Sequence, residues 1–256
     1  MNRTVLPIRT LRNNYAWLAT ADEHRALVVD PGEAGPVRQA LEERGNKLEL
    51  ILLTHLHPDH CGGTNELKKL FPQAQVVMHP ADAGRVDFTV DRKVAEGETI
   101  TFGPSEITIM HLPCHTQGCV AYQLDDNLFT GDTLFTAGCG KFFEGTADAM
   151  HKNLARLKKL PPATKICCGH EYTVENLIYA HRAEPGNQAL TERLKQARRD
   201  EADGKFLVPA TLELELATNP FLRLDDPGLQ KNLSTKDEFA TLTALYEIYY
   251  QQKPPV

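Results

Sequence analysis

Four side chains able to bind a metal, His55, His57, Asp59 and His60, fall within six residues of the segment Thr54-His55-Leu56-His57-Pro58-Asp59-His60. Burying them without an ion would desolvate imidazoles and a carboxylate with few partners, which is costly. The segment directly follows Leu48-Glu49-Leu50-Ile51-Leu52-Leu53, an apolar run of the length and composition of a buried strand. With that strand continued through His57, the two-residue period puts His55 and His57 on one face. Pro58 then ends regular structure, leaving Asp59 and His60 to point elsewhere. One ligand pair along the strand and a second beyond the turn suit two adjacent metals better than one.

The same placement recurs three times. Strand-like runs over 106–112, 127–130 and 164–168 lead to His115, Asp132 and His170, each set just past its run, where loops converge at one edge of a sheet. Five histidines and two aspartates give three ligands per metal and one shared carboxylate. Each metal keeps an open position for water, as a catalytic site requires. The remaining histidines, His24, His79, His111, His151 and His181, have no such context and are read as structural or surface residues. His111 is the nearest decoy, but it sits inside its run.

The elements that must position these groups change in texture near residue 173. Before it, strands expected over 25–29, 75–78 and 120–124 alternate with helices over 34–44, 64–70 and 146–160. Thr146 is the expected N-cap of the last of these, and Pro161-Pro162 its stop. Beyond it, 174–183, 188–203 and 236–250 read as helices separated by Pro/Gly turns, with no strand. The expected organisation is an α/β domain over 1–173 and a smaller all-helical domain over 174–256.

At 256 residues the chain can bury a substantial core. A net charge of −6 gives no sign of a nucleic-acid or membrane surface. The N-terminal residues contain no uninterrupted apolar core, so no secretory signal is expected, and no apolar run is long enough to cross a bilayer. The six cysteines show no disulfide-framework spacing. Free thiols in a reducing compartment, the cytoplasm, are the simpler account. A monomer acting on a small molecule is expected.

The segment 54–60 resembles the signature of the metallo-β-lactamase superfamily, which implies an αββα sandwich. Further segments resemble glyoxalase II, the hydroxyacylglutathione hydrolases: Leu112-Pro113-Cys114-His115-Thr116, Thr130-Gly131-Asp132-Thr133-Leu134-Phe135, Gly138-Cys139-Gly140-Lys141-Phe142-Phe143-Glu144-Gly145-Thr146, Cys168-Gly169-His170-Glu171-Tyr172-Thr173, Glu184-Pro185-Gly186-Asn187 and Thr218-Asn219-Pro220-Phe221. The resemblance implies that His55, His57 and His115 hold one metal, that Asp59, His60 and His170 hold the other, and that Asp132 bridges them. Asp59 would also orient the nucleophile. Zinc is the expected ion, and iron or manganese suits the same N/O ligands. The implied reaction is hydrolysis of S-D-lactoylglutathione to D-lactate and glutathione, in the removal of methylglyoxal. A thiolate leaves readily because thiol pKa values lie near 8.5.

By the same resemblance Lys141 and Tyr172 would contact substrate, and Phe143 stands where some members have tyrosine. Many relatives carry histidine where this chain has Cys119. Glutathione-using members typically end in an Arg-x-x-Lys-Asp segment, whereas here the last helix reads Leu245-Tyr246-Glu247-Ile248-Tyr249-Tyr250. Tyr246 and Tyr249 therefore occupy the expected cation positions, at a loss of charge-assisted hydrogen bonds worth about 1.5–3 kcal/mol each. A thiol lacking the free glycine carboxylate, such as trypanothione, would fit that loss. A persulfide dioxygenase, a β-lactam hydrolase and a non-catalytic protein on the same fold are the rival readings. The second-site set Asp59, His60 and His170 argues against the dioxygenase, and the full ligand count argues against the non-catalytic protein.

Overall fold

In the computed structural model, which describes residues 4–251, alternate residues of each central strand serve two different cores. The outer termini of both expected domains, 1–3 and 252–256, lie outside the described residues. The first sheet runs in chain order through β1 (Val5–Thr10), β2 (Asn14–Thr20), β3 (Arg25–Val29), β4 (Lys47–Leu52), β5 (Gln75–Met78) and β6 (Arg92–Lys93). Its first three strands pair antiparallel and the rest parallel. The parallel pairs require crossovers, which α1 (Ala34–Arg44) and α3 (Thr64–Leu70) supply, with α2 (Pro58–Cys61) and α4 (Pro80–Ala83) as single turns.

The second sheet begins with an antiparallel meander of β7 (Thr99–Phe102), β8 (Ser105–His111), β9 (Val120–Leu124) and β10 (Asn127–Gly131). A small hairpin of β11 (Leu134–Phe135) and β12 (Gly138–Cys139) follows, then α5 (Ala147–Leu157) and β13 (Lys165–Cys168), which joins β10 in parallel. The remaining elements are α6 (Thr173–Ala183), α7 (Gln188–Ala202), β14 (Ala210–Thr211), α8 (Leu212–Thr218), α9 (Pro227–Leu233) and α10 (Glu238–Tyr250). The expectation of no strand after residue 173 is corrected by β14, two residues long, which extends the second sheet by pairing antiparallel with β13. The expected helix over 146–160 ends at Leu157, and Thr146 caps it by accepting from the Ala149 amide.

The two sheets face each other across a core of Tyr15, Trp17, Leu50, Leu52, Ile107, Ile109, Tyr122 and Phe129. Ala16, Leu18 and Ile51, the alternate residues, pack outward against Val37 and Leu41 of α1 and Leu67 of α3. On the opposite outer face Ala121, Leu128 and Ile166 meet Met150 and Leu154 of α5, together with Leu177 of α6 and Leu242, Leu245 and Tyr249 of α10. The layers are α/β/β/α, and the C-terminal helices join the last layer through one continuous core. Among the described residues no helix is long and apolar enough to cross a membrane.

Candidate metal centre and substrate cavity

Beyond Leu52 the first sheet stops short of the histidines, which corrects the expectation of a strand through His57. The Thr54 amide donates to Asp30 Oδ1 at 2.8 Å, and its hydroxyl donates to Asp30 Oδ2 at 2.6 Å, so the chain turns toward the end of β3. Pro58 does not end regular structure either. It opens α2 at the first helical position, where its fixed φ fits and its missing N–H costs nothing. Asp59 and His60 then project from one helical turn.

The seven expected residues nevertheless meet. His57 Nδ1 lies 3.0 Å from both His55 Nε2 and His115 Nε2. His60 Nε2 lies 3.2 Å from His170 Nε2, and Asp59 Oδ2 is 3.4 Å from His170 Nε2. Asp132 stands between the groups, with Oδ1 3.2 Å from His60 Nε2 and Oδ2 3.3 Å and 3.5 Å from the Nε2 atoms of His170 and His115. Gly169 permits this crowding: a Cβ there would fall 2.5 Å from His60 Cε1 and 2.6 Å from Asp132 Oδ1.

The outward faces of three rings are already engaged. His55 Nδ1 pairs with the Thr54 hydroxyl at 3.0 Å, His60 Nδ1 with Asp30 Oδ2 at 2.9 Å and His115 Nδ1 with the Lys141 carbonyl at 2.9 Å. The Thr54 proton goes to Asp30, so in the neutral rings these partners accept the Nδ1 hydrogens and the Nε2 lone pairs are aimed inward. One hydrogen on His57 Nδ1 could not serve both ring nitrogens facing it, and Asp132 Oδ1, buried and 3.2 Å from His60 Nε2, lacks a well-formed hydrogen bond. That donor set fits divalent cations: His55, His57 and His115 form one group of converging ligand atoms, and Asp59, His60 and His170 another.

Proton affinities divide along the same line. Burial, reinforced by neighbouring imidazoles, pushes His55 and His115 below the ordinary histidine value. Burial would do the same to His60 and His170, but Asp132 outweighs it; His60 is raised well above its usual value and His170 to about 9. Burial tends to raise the Asp59 carboxyl, yet hydrogen bonds from His170 and Asn14 and the charge of His60 leave it well below the carboxylate range.

Asp59 is held by Asn14, whose Nδ2 donates to its Oδ2 at 3.0 Å and to its backbone carbonyl at 3.1 Å. The Tyr15 amide donates to the Gly169 carbonyl at 2.8 Å, so the start of β2 also steadies the His170 loop. Neither Asn14 nor Asp30 is among the residues expected from sequence. Asp30 carries the same signal as the others, an acid just past the run 25–29, whereas Asn14 carries none.

A cavity of about 510 Å³ opens onto these groups, with His57, Asp59, His115, Asp132 and His170 in its floor. Lys141, Phe143 and Tyr172 line it. Phe143 is 61% exposed and sets its ring 5.0 Å from His115. Tyr172 stacks on His170 at 4.8 Å, nearly parallel. Lys141 reaches over the Tyr250 ring at 5.4 Å. The two tyrosines at the expected cation positions separate. Tyr246 does not line the cavity; it stacks on Phe142 at 4.1 Å and accepts from the Phe142 amide at 3.2 Å. Tyr249 contributes to the wall, but its hydroxyl faces the carbonyls of Ala137 at 2.8 Å and Asn176 at 3.1 Å. Tyr250 and Glu175, also in the lining, are absent from the sequence expectations.

Comparison with known proteins divides the chain in two. The family model for the Metallo-beta-lactamase superfamily matches residues 9–170, and that for the Hydroxyacylglutathione hydrolase C-terminus matches residues 171–248. A curated hydroxyacylglutathione hydrolase of Halorhodospira halophila is 44% identical over 227 residues, covering 88% of each chain. Among solved structures, ETHE1 from Myxococcus xanthus superposes with a TM-score of 0.69 at 22% identity, covering 99% of this chain and 92% of that one, a likeness of fold. TTHA1623, solved in a di-iron-bound form, gives 0.60 at 25% identity over 85% of this chain and all of its own.

Proposed function

Because this chain belongs to the hydroxyacylglutathione hydrolase family of the metallo-β-lactamase superfamily, we propose that its thioester hydrolysis takes place at a pair of divalent ions in the cavity floor. The proposed substrate is an S-2-hydroxyacylglutathione such as S-D-lactoylglutathione. His55, His57 and His115 would hold one ion, Asp59, His60 and His170 the other, and Asp132 both. The observation that carries this assignment is the inward convergence of three Nε2 atoms whose Nδ1 faces are already engaged. When bound, the ions supply a hydroxide nucleophile at neutral pH and a Lewis acid for the carbonyl.

The protein's own groups do the rest. Asp59, open to the cavity and kept ionised, orients the attacking water through a hydrogen bond, and Asn14 holds that carboxylate in place. Asp30 and the Lys141 carbonyl fix the tautomers of His60 and His115. The thiolate departs without a dedicated acid, since its conjugate thiol has a pKa near 8.5. Phe143 and Tyr172 flank the reacting thioester, and Lys141 meets the anionic end of the carrier thiol. Residues 1–173 would form the catalytic domain and residues 174–256 the domain that completes the cavity wall.

Zinc is the proposed ion, and the di-iron form of TTHA1623 indicates that iron suits a neighbour of this fold. Six free, buried cysteines support a reducing compartment such as the cytosol. Metal analysis alongside lactoylglutathione hydrolysis tests the assignment. Two equivalents per chain are expected, with activity lost on chelation and regained on adding metal. One equivalent in fully active protein would overturn it.

A further inference from the structure

Asp82 lies outside the seven-residue set, yet it is completely buried at the turn formed by α4. Its Oδ2 accepts from the Leu56 amide at 3.1 Å and from the Thr116 hydroxyl at 2.7 Å. Its Oδ1 accepts from the Gly118 amide at 3.1 Å, with Arg85 Nη1 3.6 Å away. Leu56 separates His55 from His57, and Thr116 follows His115. A single carboxylate therefore fastens together the two loops that carry the first trio of ligands. The approach is tight: a Cβ on Gly118 would fall 2.4 Å from Asp82 Cγ, so only glycine fits there.

The second trio is fastened by other groups. Asn14 holds Asp59, Asp30 holds His60, and the backbone of β2 meets the loop of His170. None of the Asp82 hydrogen bonds described above reaches that side.

We propose that Asp82 is a positioning residue that sets the affinity of the His55–His57–His115 metal site, and of that site alone, by fixing the distance between its two loops. The inference rests on the metal assignment made above. Substitution by asparagine preserves shape but not acceptor capacity. The Leu56 and Gly118 amides address different oxygens of the carboxylate and neither can reverse its direction. Whichever way the carboxamide is turned, one backbone N–H faces an NH2 group. Loss of such supporting contacts lowers metal affinity by about 10–100-fold.

The test is a titration of metal-free protein with Zn2+ against a chromogenic chelator, for wild type, Asp82→Asn, His57→Ala and the double variant. Wild type is expected to bind in two steps, and Asp82→Asn to weaken one of them by about 10–100-fold while leaving the other within about threefold. His57→Ala disables the first site, so adding Asp82→Asn to it should leave the surviving step within about threefold. Should Asp82→Asn not fold, Thr116→Val, which removes one tie to the carboxylate at constant shape, decides the matter by weakening the same step by about tenfold. Equal weakening of both steps, a further loss in the His57→Ala background, or no change in either step overturns the proposal. Fewer than two steps in wild type would instead overturn the metal assignment.

Discussion

Tyr249→Phe removes a single oxygen from a side chain that is 6% exposed, and its cost follows from what the hydroxyl touches. One proton stands between the carbonyls of Ala137 at 2.8 Å and Asn176 at 3.1 Å, joining α10 to the turn of the β11–β12 hairpin and to α6. Leaving a buried carbonyl without its donor costs about 1–3 kcal/mol. For a chain of this size each kcal/mol lowers Tm by about 2–4 °C, so the variant should melt about 2–12 °C below wild type. Tyr249→Lys should be worse, because it carries an ammonium between the rings of Phe221 and Tyr179, whose centroids lie 4.8 Å and 5.2 Å from that of Tyr249. The hydroxyl is engaged within the protein, so KM for S-D-lactoylglutathione should change less than about twofold in Tyr249→Phe. Thermal unfolding of the metal-loaded protein and steady-state kinetics together check this. An unchanged Tm with a several-fold rise in KM would refute the reasoning and return Tyr249 to the substrate.

Asp132→Ala should lower thioester hydrolysis by more than about 100-fold, since even supporting contacts to ligands are worth about 10–100-fold. His111→Ala should stay close to wild type, because its ring only stacks on His79 at 4.0 Å and bonds the Gln117 carbonyl at 2.9 Å; comparable losses in two folded variants would refute the ligand assignment. In metal-free protein His170 has its pKa raised from 6.5 to about 9, so the stability it contributes is complete below pH 6.5 and lost as pH rises through about 9. Thermal stability of the metal-free protein should therefore fall over that window, while zinc affinity, which requires loss of the same proton, should rise; a metal-free Tm that climbs with pH would contradict both.

Much of the fold was legible because apolar runs and helical periods carried it. The strands over 25–29, 75–78 and 120–124 lie where periodicity puts them, as do the helices beginning at Ala34 and Thr64. The segment 14–20 was illegible for a physical reason. As an inner strand it is buried on both faces, so Tyr15 and Trp17 on one side and Ala16 and Leu18 on the other blur the alternation that marks a half-exposed strand. The short pairs β11–β12 and β14 have too few residues to show a period. In the site, ligand-type side chains past strand ends were readable from spacing. Their ring directions were not, because these depend on Asp30 and the Lys141 carbonyl, contacts made across the fold. The last helix shows the same limit: counting along it places Tyr246 and Tyr249 at the cation positions, but packing turns Tyr246 onto Phe142 and leaves Tyr250 in the lining.

The boundary between the two family models, at residues 170 and 171, does not coincide with a boundary in the packing. The outer face of the second sheet and the C-terminal helices share one apolar core, and the same helices complete the cavity wall. Tyr249 belongs to both at once. A lineage altering this wall to accept a different carrier thiol therefore draws on residues that also keep the sheet covered, and many substitutions that reshape the pocket would cost fold stability. Lys141, Phe143 and Glu175 in that wall are exempt, being exposed and outside the shared core. Lys141 and Phe143 lie at the rim, and the Lys141 contact with His115 uses its carbonyl, which any residue could provide. Specificity in this chain is freest to drift at that rim and most constrained along the helix that closes the cavity from behind.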